Sequence, residues 1–248
     1  MALERPDGRE RHELRALSCA TDFQSAPDGS VFLNWGGTHV LCSVTIEERV
    51  PNHRVQSGGG WLTAEYNMLP GSGQGRIGRS RGKVRGRTAE IQRLIGRSLR
   101  SILDLDALPP ITITVDCDVI NADGGTRCAS ITAGYIGLVM ALERYAAGTG
   151  HSVPIPEPIA AVSVGIVSDE LVTDLCYLED ASAHVDMNIV SSVGGIVEVQ
   201  GTGEAAPFSR TQLDEMLTAG LDACQALHDF QTDMLDTWRS HQKGTVDS

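Results

Sequence analysis

The chain has 248 residues, of which 41% are hydrophobic and 21% charged, and a formal net charge of −12. This composition is typical of a globular protein and excludes disordered, collagen-like and coiled-coil classes. The longest apolar stretches, such as residues 159–167, are too short to span a bilayer, and residues 1–15 lack the apolar run of a secretory signal. Six separated cysteines without a Cys-x-x-Cys pair favour a reducing, cytoplasmic location and argue against a thiolate zinc site.

The first hundred residues predict a β-rich segment followed by a helix. Strands are expected at residues 30–34, 40–47 and 61–68. Residues 71–87 are rich in glycine and basic side chains and have almost no apolar anchors, so we expect an exposed, mobile loop. Residues 88–103 repeat apolar side chains at helical spacing, which predicts a helix with a basic polar face.

The rest of the chain predicts a strand, a helix, two hairpins and a closing helix. The strand is expected at residues 111–120 and the helix at 126–147. A proline- and glycine-rich connection at 148–158 marks a boundary between two halves. The hairpins are expected at 161–167 with 171–177 and at 185–190 with 196–200, and the closing helix at 213–238. This order indicates an α+β architecture with helices packed on mixed sheets.

Positive charge is concentrated in one segment of this acidic chain. Residues 1–100 carry a net charge of +5, and residues 101–248 carry −17. Residues 71–100 contain nine basic residues, eight of them arginine, and a single acid, Glu90. A local basic surface suits a polyanion, and arginine is the better bidentate ligand for phosphate. A solvated charge run without a binding role is the alternative.

The segment Asp123-Gly-Gly-Thr-Arg127 stands between a predicted strand and a predicted helix. Glycine lets the backbone approach a ligand, and the free N–H groups at a helix N-terminus attract anions. Thr126 can donate its hydroxyl, and Arg127 adds a positive charge where the helix dipole disfavours one. These features predict an anion site at Gly125, Thr126 and Arg127. An ordinary glycine turn with a threonine N-cap is the alternative.

Two carboxylates flank the connection before the strand at 185–190. Asp180 is expected just past the end of a strand, and Asp186 opens the next strand. Such a pair can hold one Mg²⁺, which keeps several waters and needs few protein ligands. Turn and capping roles for both acids are the alternative. Because no Walker or Gly-x-Ser-x-Gly motif is present, the residues indicate phosphate chemistry on a polyanion without naming the reaction.

Six longer segments carry a family resemblance. They are Arg5-Pro-Asp-Gly-Arg9, Trp61-Leu-Thr-Ala-Glu-Tyr66, Glu90-Ile-Gln-Arg-Leu-Ile-Gly-Arg97, Asp116-Cys-Asp-Val-Ile-Asn-Ala-Asp-Gly-Gly-Thr-Arg127, Ala161-Val-Ser-Val-Gly-Ile166 and Glu198-Val-Gln-Gly-Thr202. Together they resemble the ribonuclease PH family of phosphate-dependent 3′→5′ exoribonucleases, which trim tRNA precursors. The resemblance runs from Arg5 to the closing helix, nearly the whole chain.

The resemblance implies the α+β fold of ribonuclease PH in one compact unit over residues 1–248, with related halves at 10–147 and 158–240. It implies phosphorolysis: inorganic phosphate is the co-substrate, nucleoside 5′-diphosphates are released, and the reverse reaction adds nucleotides to 3′ ends. The implied partners are tRNA precursors and other RNA, including rRNA, and neither DNA nor a membrane. The implied assembly is a homohexameric ring, a trimer of dimers.

The resemblance also implies roles for individual residues. Inorganic phosphate is held by Arg87, at the junction of the basic loop and the helix, together with Gly125, Thr126 and Arg127. Asp180 and Asp186 bind Mg²⁺ and support catalysis. The basic loop admits RNA through Arg76, Arg79, Arg81, Lys83 and Arg85. The family usually has a basic residue directly after Met-Leu-Pro, where this chain has Gly71.

Two other classes of protein compete with this interpretation. A non-catalytic RNA-binding ring subunit usually lacks part of the Arg, Gly-Thr-Arg and Asp set, and this chain keeps all of it. A hydrolytic nuclease that uses the same metal pair would release nucleoside monophosphates. Such an enzyme would not need Arg87 and Arg127 beside the metal.

Overall fold

Alternation of apolar and polar residues produces a five-stranded sheet in the first half of the chain. The computed structural model describes residues 4–56, 58–79 and 86–246. The strands are β1 (Leu17–Thr21), β2 (Gly29–Trp35), β3 (Thr38–Glu47), β4 (Trp61–Met68) and β5 (Thr112–Asn121), in the order β1-β2-β3-β5-β4. β4 runs parallel to β5, and the other neighbours are antiparallel. Alternate residues of β3 and β5 are buried, so one face of the sheet meets the core.

A second sheet of four antiparallel strands follows the connection between the halves. Its strands are β6 (Ile159–Val167), β7 (Glu170–Thr173), β8 (Val185–Ser192) and β9 (Gly195–Gly203), in the order β7-β6-β8-β9. β6 is buried along its whole length, which explains its continuous apolar sequence. The β6–β7 hairpin turns at Ser168 and Asp169, whose φ angles of 49° and 66° suit a two-residue hairpin turn.

Helices pack on both sheets. In the described residues they are α1 (Gly86–Ser101), α2 (Thr126–Thr149), α3 (Tyr177–Asp180) and α4 (Arg210–Val246). α2 is almost completely buried over its first 17 residues because it contacts β2 and β3 of the first sheet and β6 of the second. Its approach to β2 is close, since a Cβ at Gly29 would lie 2.2 Å from the carbonyl oxygen of Gly137. α1 packs on β4, and α4 packs on β6 and β8, so the predicted α+β architecture is confirmed.

The strand predicted at residues 171–177 is wrong beyond Thr173. Asp174 has a φ angle of 58°, which ends the extended backbone, and its carboxylate turns inward to Arg15 and Trp35. The chain then forms α3, so Asp180 lies at the end of a single helical turn and does not directly follow a strand. β1 is a five-residue edge strand that is not predicted from the sequence, and none of its residues is fully buried.

The loop predicted at residues 71–87 is not exposed throughout. Ser72 is buried, and its carbonyl accepts a hydrogen bond from the N–H of Ala122 at 2.7 Å. Gly86 and Arg87 belong to α1, which begins two residues before its predicted start. Residues 81, 83 and 85 of this loop lie outside the described residues, and the mobility of the loop stays a prediction. The division of the chain into related halves at 10–147 and 158–240 also stays a prediction. No helix in the described part of the chain is long and apolar enough to cross a membrane.

Two buried arginines near the N-terminus hold the segment between β7 and α3. Arg5 donates through Nε and Nη2 to the two carboxylate oxygens of Glu179, at 2.7 and 2.9 Å. Arg15 donates through Nη2 to Asp174 at 2.7 Å, and the indole N–H of Trp35 donates to the same carboxylate at 2.9 Å. The four charged side chains are at most 4% exposed. We name these two ion pairs the N-terminal clamp, because they fix the path of the chain into α3.

Asp174→Asn is expected to lower the free energy of unfolding by about 3 kcal/mol, because Arg15 loses its buried counter-charge. Asparagine tolerates the positive φ angle at this position, so the change tests the charge and not the backbone. Glu170→Gln is the matched control, since Glu170 pairs with Arg11 at the surface, where an ion pair contributes about 0–1 kcal/mol. Urea unfolding measures both variants, and equal losses would show that the clamp is no stronger than a surface pair.

Candidate active site

A cleft of about 570 Å³ opens at the N-terminus of α2. Residues from the first sheet, the β5–α2 junction, α1, α3 and the second sheet line it. Six of the residues singled out in the sequence are among them: Arg87, Gly125, Thr126, Arg127, Asp180 and Asp186. The structure therefore brings the predicted anion site and the predicted carboxylate pair together in one cleft.

Two glycines in left-handed conformation form the junction between β5 and α2. Gly124 and Gly125 have φ angles of 76° and 63°. A Cβ at Gly124 would lie 2.4 Å from the carbonyl oxygen of Leu175, so glycine is needed for the junction to pack against the segment before α3. The first turn of α2 contains no acidic residue, so the positive end of the helix dipole is not neutralised there. This junction has the geometry of an anion-binding helix N-terminus.

Thr126 is held by Tyr66, a buried residue of β4. Their hydroxyl oxygens are 2.9 Å apart. Burial raises the pKa of Tyr66, although the hydrogen bond to Thr126 opposes the increase, so the phenol stays protonated at neutral pH. When the phenol donates this hydrogen bond, Thr126 keeps its own proton for a ligand in the cleft. In the sequence, Tyr66 stands out only as the last residue of the motif at residues 61–66, which does not indicate this contact.

Among the residues that the structure describes, two guanidinium groups line the cleft and give it positive charge. Arg87 is exposed in the first turn of α1, and Arg127 lies in the first turn of α2 with 15% of its side chain exposed. Burial raises the pKa of Asp180 and Asp186, and both arginines act in the opposite direction. The positive charges therefore reach the carboxylates across the same cleft.

Three acidic side chains form a negative surface in the cleft. Burial and the negative charge of Asp180 together raise the pKa of Asp186 to about 6. The pKa of Asp180 is raised as well, mainly by burial. Glu204, which follows β9 and was not singled out in the sequence, lines the same cleft and raises both pKa values further. We name Asp180, Asp186 and Glu204 the acidic surface.

The acidic surface suits a cation that brings other ligands with it. In the part of the chain that the structure describes, no group of three or more His, Cys, Asp or Glu is placed to hold a metal ion. Mg²⁺ is commonly bound by one or two carboxylates, several waters and substrate phosphates. Asp180 and Asp186 fit that donor set, because both line the cleft and a cation would offset the burial and the repulsion by Asp180 that raise the pKa of Asp186.

Two further polar residues in the cleft belong to the second sheet. Ser163 of β6 and Asn188 of β8 are cross-strand neighbours, and both line the cleft. Asn188 shares a strand face with Asp186, because side chains alternate along a strand, so this two-residue spacing is a signal present in the sequence. Ser163 gives no comparable signal, since its neighbour across the sheet cannot be read from its own strand.

The structure describes only part of the predicted RNA-binding loop. Arg76 and Arg79 are exposed and do not line the cleft, whereas Gly73 and Gln74 of the same segment do. The loop therefore begins at the rim of the cleft. The other three basic residues assigned to RNA lie outside the described residues: Arg81, Lys83 and Arg85.

Asp186→Asn is expected to raise the melting temperature at about pH 7 without metal ions. The folded-state pKa of about 6 lies above the ordinary value of 3.8, so the folded protein binds more protons than the unfolded chain between these values. The contribution of Asp186 to stability therefore falls as the pH rises through about 6, and the neutral amide removes this loss. At about pH 4 we expect no gain, because the carboxyl group is already protonated in the folded protein.

Scanning calorimetry at both pH values measures this difference. The matched control is Asp233→Asn, which changes an exposed carboxylate on α4 and is expected to leave the melting temperature unchanged at either pH. An Asp186→Asn variant less stable than the parent protein at about pH 7 would contradict the raised pKa.

Comparison with known proteins identifies the family. Models of the 3′ exoribonuclease family match twice, with domain 1 at residues 13–142 and domain 2 at residues 157–223. Ribonuclease PH of Bacillus cereus (strain AH187) is 50% identical over 242 residues, which cover 96% of this chain and 99% of that protein.

Two solved structures share the fold at low sequence identity. Rrp46 of rice (Oryza sativa) is 22% identical with a TM-score of 0.76, covering 93% of this chain and 100% of that one. The Archaeoglobus fulgidus exosome with RNA bound to the active site is 20% identical with a TM-score of 0.77, covering 91% and 92%. The two matched family domains and the similarity to the Bacillus enzyme show that this chain belongs to the 3′ exoribonuclease family, to which ribonuclease PH belongs.

Proposed function

We propose that this chain shortens RNA from the 3′ end by phosphorolysis, with tRNA precursors as substrates and other structured RNA, such as rRNA, as further ones. The reaction class is that of its family: phosphate-dependent 3′→5′ exoribonuclease and nucleotidyltransferase activity. The observation that carries the proposal is the meeting of a cationic anion site and a carboxylate pair in one cleft. That combination suits a reaction between two phosphate groups.

Inorganic phosphate binds at the N-terminus of α2 in this proposal. The N–H of Gly125 and the hydroxyl of Thr126 donate to its oxygens, and Arg87 and Arg127 offset its charge. The support is that all four residues line the cleft and that they come from two separate helices and a glycine junction. Holding the phosphate beside the terminal phosphodiester removes much of the entropic cost of bringing the two together.

An oxygen of the bound phosphate attacks the phosphorus of the last phosphodiester. The bond from that phosphorus to the 3′ oxygen of the preceding nucleotide breaks, which releases a nucleoside 5′-diphosphate and leaves RNA that is one nucleotide shorter. Phosphate is a competent nucleophile at neutral pH, so no activated serine or cysteine is required. The bonds broken and formed are of similar energy, so the reverse reaction adds nucleotides to RNA 3′ ends.

Asp180 and Asp186 are the residues that would hold Mg²⁺. When bound, Mg²⁺ neutralises negative charge on the reacting phosphates and on the leaving 3′ oxygen. Glu204 lines the same cleft, and its negative charge adds to that of the two aspartates in attracting a cation. Arg87 and Arg127 limit this negative potential, which allows an anionic substrate to enter the same cleft.

The basic segment after β4 would bind the RNA backbone. Arg76 and Arg79 are exposed and follow Gly73 and Gln74, which line the cleft, and Arg81, Lys83 and Arg85 continue the segment in the sequence. Contacts between these side chains and phosphates make affinity fall as salt rises. We further propose that the substrate is RNA and not DNA. The chain assembles as a homohexameric ring, a trimer of dimers, and its location is cytoplasmic.

The deciding experiment incubates a tRNA with an extended 3′ end with the protein and Mg²⁺, with and without inorganic phosphate. Chromatography of the released nucleotides is expected to show nucleoside diphosphates only when phosphate is present. Arg127→Ala is expected to slow this release at least about a hundredfold, the usual cost of removing one anion-stabilising donor from an active site. Arg93→Ala changes an exposed arginine of α1 that does not line the cleft, and it should release nucleotides at the unaltered rate.

Two other outcomes would overturn the proposal. Release of nucleoside monophosphates in the absence of inorganic phosphate would identify a hydrolase. RNA binding without nucleotide release would identify a non-catalytic RNA-binding subunit.

Mg²⁺ is expected to raise the melting temperature of the unaltered protein at about pH 7, because a cation that binds only the folded state stabilises it. Asp186→Asn should lose most of this increase and its Mg²⁺-dependent turnover, whereas Asp233→Asn should retain both. Equal stabilisation of all three proteins by Mg²⁺ would show that the carboxylate pair is not the metal site.

A further inference from the structure

Arg127 has one guanidinium edge that no described residue uses. Its hydrogen bonds within the described chain all leave from Nη1, which donates to Oε1 of Gln200 at 2.5 Å and to Oε1 of Glu90 at 3.3 Å. Nε and Nη2 share the other edge of the planar group and have no hydrogen-bond partner in the described residues. Such a pair of parallel N–H donors matches two oxygens of a phosphate group. The protein thus holds Nη1 of Arg127, and within the described residues it leaves the two donors Nε and Nη2 to a ligand.

Glu90 and Gln200 form a closed polar triangle with Arg127. Nε2 of Gln200 donates to Oε1 of Glu90 at 2.9 Å, and the same oxygen accepts from Arg127. The amide of Gln200 is oriented by both partners, because its nitrogen faces a carboxylate and its oxygen faces a cation. The three side chains come from α1, β9 and α2, so the triangle forms only when these elements are in place.

Only one member of the triangle lines the cleft. Arg127 lines the cleft, and neither Glu90 nor Gln200 does. Glu90 is 39% exposed and reaches one nitrogen of Arg127, so it offsets only part of the positive charge. Arg127 therefore keeps its charge for a ligand while its position is fixed.

We infer that Glu90 and Gln200 are positioning residues for phosphate: they orient Arg127 so that its Nε and Nη2 edge meets the anion, and they act only through Arg127. The inference rests on the proposed phosphate site. It gives a function to the contact between α1 and β9, because the affinity for phosphate then depends on whether Glu90 and Gln200 keep the guanidinium of Arg127 in its orientation.

A second contact between the same two elements provides a matched control. Arg97 of α1 donates through Nε to Glu198 of β9 at 2.8 Å, only two residues before Gln200. Arg97 is 57% exposed, and neither partner lines the cleft. Breaking this ion pair removes a link between α1 and β9 without touching Arg127.

The test compares steady-state kinetics of Gln200→Ala and Glu198→Ala in the phosphate-dependent release assay. Gln200→Ala is expected to raise the KM for inorganic phosphate about tenfold, which corresponds to about 1.4 kcal/mol. Its KM for RNA and its melting temperature should not change. Glu198→Ala should leave the KM for phosphate unaltered. Glu90→Gln retains an acceptor oxygen for Arg127, so we expect it to stay within about threefold of the unaltered KM, unlike Glu90→Ala.

A binding measurement supplies a readout that does not depend on turnover. Inorganic phosphate is titrated while thermal unfolding is followed, and the concentration needed for half of the stabilisation should rise about tenfold in Gln200→Ala. If the unaltered protein releases no nucleoside diphosphates in the presence of inorganic phosphate, the proposed function fails. If release depends on phosphate but Gln200→Ala and Glu198→Ala have the same KM for phosphate, only the positioning role fails.

Discussion

The ion pair between Arg15 and Asp174 is the interaction on which the shape of the cleft depends. Asp174 accepts the backbone N–H of Arg15 at 2.7 Å in addition to its guanidinium, so main chain and side chain are fixed together. The pair draws the chain inward after β7 and sets where α3 starts. Arg15 also donates to the carbonyl of Asp123, and Gly124 packs against Leu175. One buried pair thus connects the glycine junction of α2 with the segment that carries Asp180, and it relates the cationic side of the cleft to the acidic surface.

Charge in the cleft is divided, although the chain as a whole is strongly acidic. The N-terminus of α2 and two arginines make one part positive, and three carboxylates make another part negative. Each part reduces the electrostatic repulsion among the like charges of the other. Besides burial, which raises the pKa of Asp186, the neighbouring carboxylates also raise it, whereas Arg127 and Arg87 lower it. The arrangement is suited to a reaction in which an anion must approach a second anion, because neither a purely cationic nor a purely acidic pocket would admit phosphate, RNA and a metal ion together.

Much of the fold and of the site could be predicted because local motifs encode them. The Gly-Gly-Thr-Arg motif predicts the strand-to-helix junction that the structure has, and the helical spacing of apolar residues predicts α1 and α2. The strand at 171–177 fails because the β propensity of Leu-Val-Thr is local, whereas the inward turn of Asp174 depends on Arg15, which is 159 positions away. Gln200 is ordinary in sequence for the same reason, since its contacts with Arg127 and Glu90 exist only after the two sheets have come together. Asp180 and Asp186 are predictable in part. Their spacing in the sequence suggests a pair, but the cleft that both residues line forms only when the chain has folded.

The clamp has a consequence for the order in which a newly made chain acquires its parts. Arg5 and Glu179 are 174 positions apart, and Arg15 and Asp174 are 159 apart, so both arginines leave the ribosome long before their partners have been synthesised. Until then these guanidinium groups stay hydrated, and the β5–α2 junction has no α3 to pack against. The basic segment at residues 71–87 also emerges early, while the cleft is completed late. A nascent chain attached to a ribosome, surrounded by messenger and ribosomal RNA, therefore carries basic side chains without the assembled cleft that would let it cut.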